Sequence, residues 1–176
     1  AVPMSSLSLL RTLALQQQFV LLQEACCAPQ NPAEQVLLAL ACAQLGELDA
    51  AHHALAGLDL AALDVDGRVD LAAVQLLLGE LDIAQQLLET ALHDAPDHAL
   101  LLARLATCQL RRQQTAVARQ LYERSLLLAP NILIYQQLLR LYLQDGAIES
   151  GERLLTQAEV FWTSEREYWP EPQAAW

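Results

Sequence analysis

The chain has 176 residues and a formal net charge of −11, from 21 acidic residues, ten basic ones and no Lys. That length supports one or two domains whose core buries roughly 70% of the unfolded surface, and an acidic balance argues against nucleic acid, which is gripped by basic surfaces. More than half of the residues are apolar but only 5% are aromatic. The excess of Leu, Ala, Gln, Glu and Arg over Val and Ile makes the expected class all-α.

In chain order, Met4 reads as the native initiator, with Ala1 to Pro3 standing ahead of it. The first eighteen residues lack the basic flank and small-residue cleavage site of a signal peptide. Residues 1–31 are expected to form a capping helix or a degenerate repeat, with Ser5 or Ser6 as the first cap. Cys26 and Cys27 are adjacent and cannot easily bridge each other; with Cys42 and Cys108 they contain no C-x-x-C pair, which favours free thiols and a reduced, cytoplasmic setting. "QNP" at 30–32 signals a helix start, with Asn31 as cap and Pro32 at the first helical position.

The stretch "GELD" occurs at 46–49 and again at 79–82, 33 residues apart, and Pro96 and Pro130 lie 34 residues apart. Small and large residues recur in phase between these marks: Ala51 and Leu55, Ala84 and Leu88, Ala118 and Tyr122, Gly151 and Leu155. Upstream lie Leu38-Ala39, Leu71-Ala72 and Leu105-Ala106. Close-packed helix pairs need small residues where their axes approach and large ones beside them. Gly46, Gly79 and Gly146 are expected to end the first helix of a pair in the left-handed region. Pro96 and Pro130 stop the second. The units expected are 32–64, 65–98, 99–132 and 133–163, the fourth carrying Leu139 with Arg140 in place of its small residue. A tail of aromatic and acidic character follows at 164–176, holding Trp169 and Trp176, either packed on the stack or leading to a further domain.

This pattern resembles the tetratricopeptide repeat, a helix–turn–helix unit of about 34 residues. The resemblance covers some 130 residues and implies a right-handed superhelix of stacked antiparallel helix pairs, an α-solenoid. It also implies that the first helix of each unit lines a concave groove that holds an extended peptide or a helix. The matching positions are Val36, Leu40 and Gln44, then Val69, Ala73 and Leu77. The third unit offers Ala103, Thr107, Leu110 and Arg111, and the fourth Gln137, Leu141, Gln144 and Asp145. Units that clamp a chaperone carboxylate tail carry Lys and Asn at such positions, which this chain does not. A largely apolar groove rimmed by Arg111 suits an amphipathic helix or hydrophobic segment, unless the chain's own N-terminal helix or Trp-rich tail fills it.

Catalytic signatures are absent: no G-x-x-x-x-G-K, G-x-G-x-x-G, H-E-x-x-H or G-x-S-x-G occurs. His52 and His53 point about 100° apart on a helix and cannot share a metal well. His93, Asp94, Asp97 and His98 straddle a turn and form the one arrangement worth weighing, against a reading in which His93 complements a helix end and Asp97 caps the next helix. No cofactor or metal is expected. Charge is segregated: residues 24–97 hold thirteen carboxylates and one Arg, Arg68, while residues 104–153 hold seven Arg and four carboxylates. No apolar run reaches the ~20 residues of a membrane span. The expected function is therefore non-catalytic binding of a protein or peptide partner, as an adaptor, assembly factor or secretion-type chaperone. Two alternatives stand beside it: the interaction domain of a larger enzyme, and a self-associating scaffold or homodimer.

Overall fold

A computed structural model describes the backbone of residues 6–166 and side chains to Thr163; residues 1–5, including the Ser5 cap and Met4, and the tail at 167–176 lie outside the described residues. Among the described residues every element is helical. Two compact units divide the chain, residues 1–96 and 97–176. The first contains α1 (Ser6–Leu15), α2 (Phe19–Ala25), α3 (Pro32–Gln44), α4 (Leu48–Ala54), α5 (Val65–Leu77) and α6 (Leu81–Asp94), with a 3-10 turn at Leu60–Ala62. The second contains α7 (Ala99–Arg111), α8 (Thr115–Leu128), α9 (Ile132–Gln144) and α10 (Ile148–Arg166).

The repeat is written into the backbone at two places per unit. The first-position helices α3, α5, α7 and α9 start at caps 33 or 34 residues apart: Asn31, Asp64, His98 and Asn131. Each accepts a backbone N–H two or three residues on, for example Asp64 Oδ1 from Gly67 N at 2.8 Å and Asn31 Oδ1 from Glu34 N at 3.0 Å, which satisfies donors that the first turn leaves orphaned. His98, not Asp97, caps α7, through Nδ1 and Leu101 N.

Fifteen residues after each of these caps comes a left-handed residue: Gly46, Gly79, Gln113 and Gly146, with φ of 83°, 77°, 62° and 69°. Gln17, with φ 59°, does the same between α1 and α2. All five close the same pair of turn bonds. Beyond Gly79, Glu80 N donates to Gln75 O at 2.9 Å and Gly79 N to Leu76 O at 3.2 Å; beyond Gln113, Gln114 N reaches Gln109 O at 2.9 Å and Gln113 N reaches Leu110 O at 3.0 Å. This is the Schellman geometry. The α1–α2 hairpin thus has the same turn as the four that follow it.

At Gln17 and Gln113 a Cβ sits where L-residues are disfavoured by about 1–2 kcal/mol. Gln113→Gly removes that strain and gives back part of it as backbone entropy. It is expected to raise unfolding free energy by about 0.5–1 kcal/mol, read as a higher urea midpoint at unchanged slope.

In the first unit α1 packs on α2 and α3, α2 on α3, α4 and α5 on α3, and α6 on α5. The core gathers Leu22, Val36, Leu37, Ala39, Ala41 and Val74, all at most 1% exposed. In the second unit α8 packs on α7 and α9, and α10 on α9, around Ala106, Ala118, Tyr122, Leu138 and Leu141. Small residues sit at the crossings: Ala72 with Ala84, and Ala106 with Ala118, all fully buried.

The fourth pair departs from the sequence expectation by one position. Counting back from the left-handed turn, Leu138 takes the place of Leu71 and Leu105 and is 1% exposed. The residue at the small position is then Leu139, and Arg140 is exposed. The crossing helix compensates by using Gly151, where an added Cβ would stand 3.4 Å from Leu139 Cδ1. Leu155 is 49% exposed whereas its counterparts Leu88 and Tyr122 are buried. Trp162 packs on Tyr135 of α9, ring centroids 6.0 Å apart.

Candidate functional site

The fourteen groove positions fall into three groups by what surrounds them. Val36, Leu40, Val69, Ala73, Ala103 and Leu141 are buried, at 9% exposure or less. Leu77, Thr107, Leu110 and Gln137 are half-buried, and Gln44, Arg111, Gln144 and Asp145 are exposed. The two units therefore treat these positions differently.

In the first unit the chain itself covers part of this set. Leu10 of α1 joins the core that contains Val36, Leu40 and Ala73, with Leu7, Leu13 and Leu77 packed against it. Arg11 on the same helix donates from Nε to Asp70 Oδ2 at 3.1 Å, and its other nitrogens lie 3.8 Å from Asp64 and 4.0 Å from Asp66. Asp66, Asp70, Ala73 and Leu77 share one face of α5 by helical spacing. The guanidinium thus stands over that face and neutralises part of its acidic charge.

In the second unit α7 and α9 keep polar and half-buried groups accessible. Thr107 Oγ1 donates to Ala103 O at 3.0 Å and pairs with Tyr122 Oη at 2.8 Å. Burial, above all, raises the Tyr122 phenol above its ordinary range, so it stays neutral. Tyr142 Oη donates to Glu123 Oε1 at 2.5 Å. Burial first, then the hydrogen bond and charge of Glu123, push the Tyr142 phenol up to about 12. Arg119 Nη1 reaches Asp145 Oδ2 at 2.8 Å, so Asp145 is held by α8. The Thr107 and Asp145 bonds fix side chains beside Leu110, Gln137 and Gln144, while Tyr142 stands on the opposite face of α9 by helical spacing.

The other sequence candidates are placed as structural groups. His98 caps α7, Asp97 pairs with Arg124 at 3.4 Å, and Asp94 lies 3.7 Å from Arg68 and from His93. His52 lies 3.7 Å from Glu80. No group of three or more metal-binding side chains occurs among the described residues. Cys26 is buried, and burial, then Glu34 and Cys27, push its thiol up to about 11. A thiol held protonated is a poor nucleophile and metal ligand. No helix among the described residues is long and apolar enough to cross a membrane.

One feature escaped the sequence reading. In the first unit a recess of about 450 Å³ opens between the 3-10 turn, α5 and α6, lined among others by Leu60, Arg68, Gln75, Ile83 and Leu87.

The repeated caps, the left-handed turns and the small-residue crossings define a helical-repeat protein of tetratricopeptide-like fold. No family model matches the sequence, and no curated protein matches it. Solved structures do match in fold. The chain is similar to MamA (41-end) from Desulfovibrio magneticus RS-1, at TM-score 0.63 and 15% identity over 89% of this chain and 92% of that one. A second MamA, AMB-1, superposes at TM-score 0.52 and 17% identity, over 84% of this chain and 85% of that one. The human IFIT1 dimer with PPP-AAAA superposes at 0.64 and 21% identity; 78% of this chain is covered, which spans about a third (34%) of the IFIT1 chain. At these identities the likeness is one of fold. It lends no support to the expectation that nucleic acid is excluded, since one of the neighbours was solved with PPP-AAAA.

Proposed function

We propose that the protein is a non-catalytic interaction module whose second unit holds a helix or extended peptide of a protein partner along α7 and α9. The observation that carries this reading is the contrast between units. Of the positions on α3 and α5, Val36, Leu40 and Ala73 share a core with Leu10 of α1 and Gln44 is exposed, while those on α7 and α9 leave Thr107, Leu110, Arg111, Gln137 and Gln144 partly or fully accessible. An apolar centre at Leu110 flanked by Gln and Arg suits an amphipathic segment with acidic residues on its polar side. The resemblance to tetratricopeptide proteins and the absence of catalytic signatures in the sequence support the same reading.

The test is affinity capture from nuclease-treated lysate of the source cells, wild type beside Arg111→Glu,Gln144→Glu. Both side chains are exposed but end their helices, where a carboxylate opposes the helix dipole, so stability should fall by up to about 1 kcal/mol each. A protein recovered by the wild type and reduced at least about tenfold with the variant is the expected outcome. Equal recovery removes the site from α7 and α9.

Self-association is a second reading, favoured by a cluster of exposed apolar side chains at the α8–α9 connection: Leu127 at 88%, Leu133 at 66% and Leu128 at 43% exposure. Clusters of this kind mark contact surfaces. A monomeric mass at tens of micromolar contradicts it.

A further inference from the structure

The recess of the first unit is explained by comparing the hairpins of this chain with one another. Aligned on their left-handed turns, Arg68 and Gln75 of α5 correspond to Tyr135 and Tyr142 of α9. In the second unit those two rings are covered: Tyr135 packs on Trp162 of α10, and Tyr142 bonds to Glu123 of α8. The counterpart of Glu123 in the first unit is Ala56, which lies beyond the end of α4. That helix has seven residues where α6 and α8 have 14. Gly57, at φ 70°, turns the chain away, and the 3-10 turn brings it back to the Asp64 cap. So two aromatic side chains and half a covering helix are replaced by two polar residues and a space of about 450 Å³, within the size range of ligand pockets.

The polar groups in it are left with unmet bonding capacity. Gln75 is 7% exposed, and its Oε1 is buried with no hydrogen bond, a burden of the kind that native structures resolve with a partner. Arg68 is the sole Arg of residues 24–97; its ion pair is with Asp94 at 3.7 Å, too long for a hydrogen bond. Arg68 and Gln75 lie two helical turns apart, about 10 Å along the axis, with Leu60, Ile83 and Leu87 around them. Leu60 and Ile83 are 51% and 53% exposed, so their apolar surface is open to a ligand in the recess.

We propose that this recess binds an apolar carboxylate: the carboxylate on the Arg68 guanidinium and the apolar body against Leu60, Ile83 and Leu87, beside the Gln75 side chain. The carboxyl end of an apolar peptide and a free apolar acid both present this chemistry. The site does not depend on the reading of α7 and α9, and on α5 it faces about 150° away from Ala73 by helical spacing.

The experiment uses the full chain, isotopically labelled, titrated with N-acetylated tripeptides built from Ala, Val, Leu and Phe, each as free acid and as carboxamide. Phenylacetate and 4-methylpentanoate form a parallel arm. Backbone amide shifts at 60–61 and 68–90 report occupancy. The free acids of at least one arm are expected to shift these amides and to bind at least about tenfold more tightly than their amides, since a charge-assisted bond is lost otherwise. Arg68→Leu should weaken the acid about tenfold and leave the amide unchanged. Asp94→Asn, which removes the competing carboxylate, should tighten the acid a few-fold. Gln75→Tyr, which refills the space as in α9, should abolish binding and raise the melting temperature. The peptide arm binding alone identifies a protein terminus, and the small acids binding alone identify a metabolite-like ligand. Failure of both arms at millimolar concentration overturns the proposal, as does equal binding of acid and amide or an Arg68→Leu variant that binds like the wild type.

Discussion

Leu141→Asp is expected to unfold the second unit. Leu141 is 2% exposed and packs with Ala106, Tyr122 and Leu138 in the core around α9. A carboxylate there stands among apolar side chains and must either ionise in a low-dielectric site or carry a proton. The expected cost is about 3–5 kcal/mol, combining the lost Leu contacts with burial of an uncompensated polar group. That is a large part of the 5–15 kcal/mol typical of a whole domain. Circular dichroism during urea titration checks it: the variant should lose a cooperative step or shift it far below the wild-type midpoint. Arg111→Glu and Gln144→Glu, at the ends of α7 and α9, should shift the curve far less. A Leu141→Asp protein as stable as the wild type would show that this side chain faces solvent and belongs to a binding surface.

The second large effect separates repeat position from energetic weight. Leu88 and Leu155 occupy the same place after the small residue of their helices, yet Leu88 is fully buried and Leu155 is 49% exposed. Leu88→Ala should cost about 2–5 kcal/mol, since it removes buried methylenes and leaves a cavity. Leu155→Ala should cost at most about 1 kcal/mol, because half of that side chain remains in water in the folded state. Thermal melts of the two variants side by side decide the point. Equal losses would mean that Leu155 is covered in solution.

The all-helical class and the hairpin repeat were legible because they rest on local rules. Asn31 and Pro32 start a helix, glycines end that helix and two others, and Ala at 51, 84 and 118 sets the crossings; the first-position caps and the turns follow the same period. What local rules hide is equally specific. Gln17 and Gln113 hold left-handed turns without the glycine that signals one, since two closing hydrogen bonds and a packed hairpin outweigh a conformational penalty of about 1–2 kcal/mol. The fourth pair slipped by one residue because "LLR" offers two leucines for one place, and only packing against Gly151 selects Leu138 for the core.

The groove was legible as a set of helix faces but not as a surface. Sequence spacing identifies which residues share a face; it does not reveal that α1 lies over α3 and spans to Asp70 through Arg11, a contact 59 residues away in sequence. Nor does it show that α4 stops after seven residues. Residues 55–64 contain one glycine and no proline, so the end of that helix and the recess it leaves over Gln75 depend on the positive φ of Gly57. The aromatic tail, with Trp169 and Trp176, lies outside the described residues, so its proposed packing on the stack is untouched by these findings.

The most direct measurement is hydrogen–deuterium exchange on the full chain, alone and saturated with the protein recovered by affinity capture. Binding along the second unit predicts slowed exchange in residues 103–111 and 137–145, with α8 and the first unit little changed. Slowing confined to residues 60–90 would instead place the captured partner in the recess over Arg68 and Gln75 and contradict the assignment to α7 and α9. Unchanged exchange throughout would contradict the interaction reading itself.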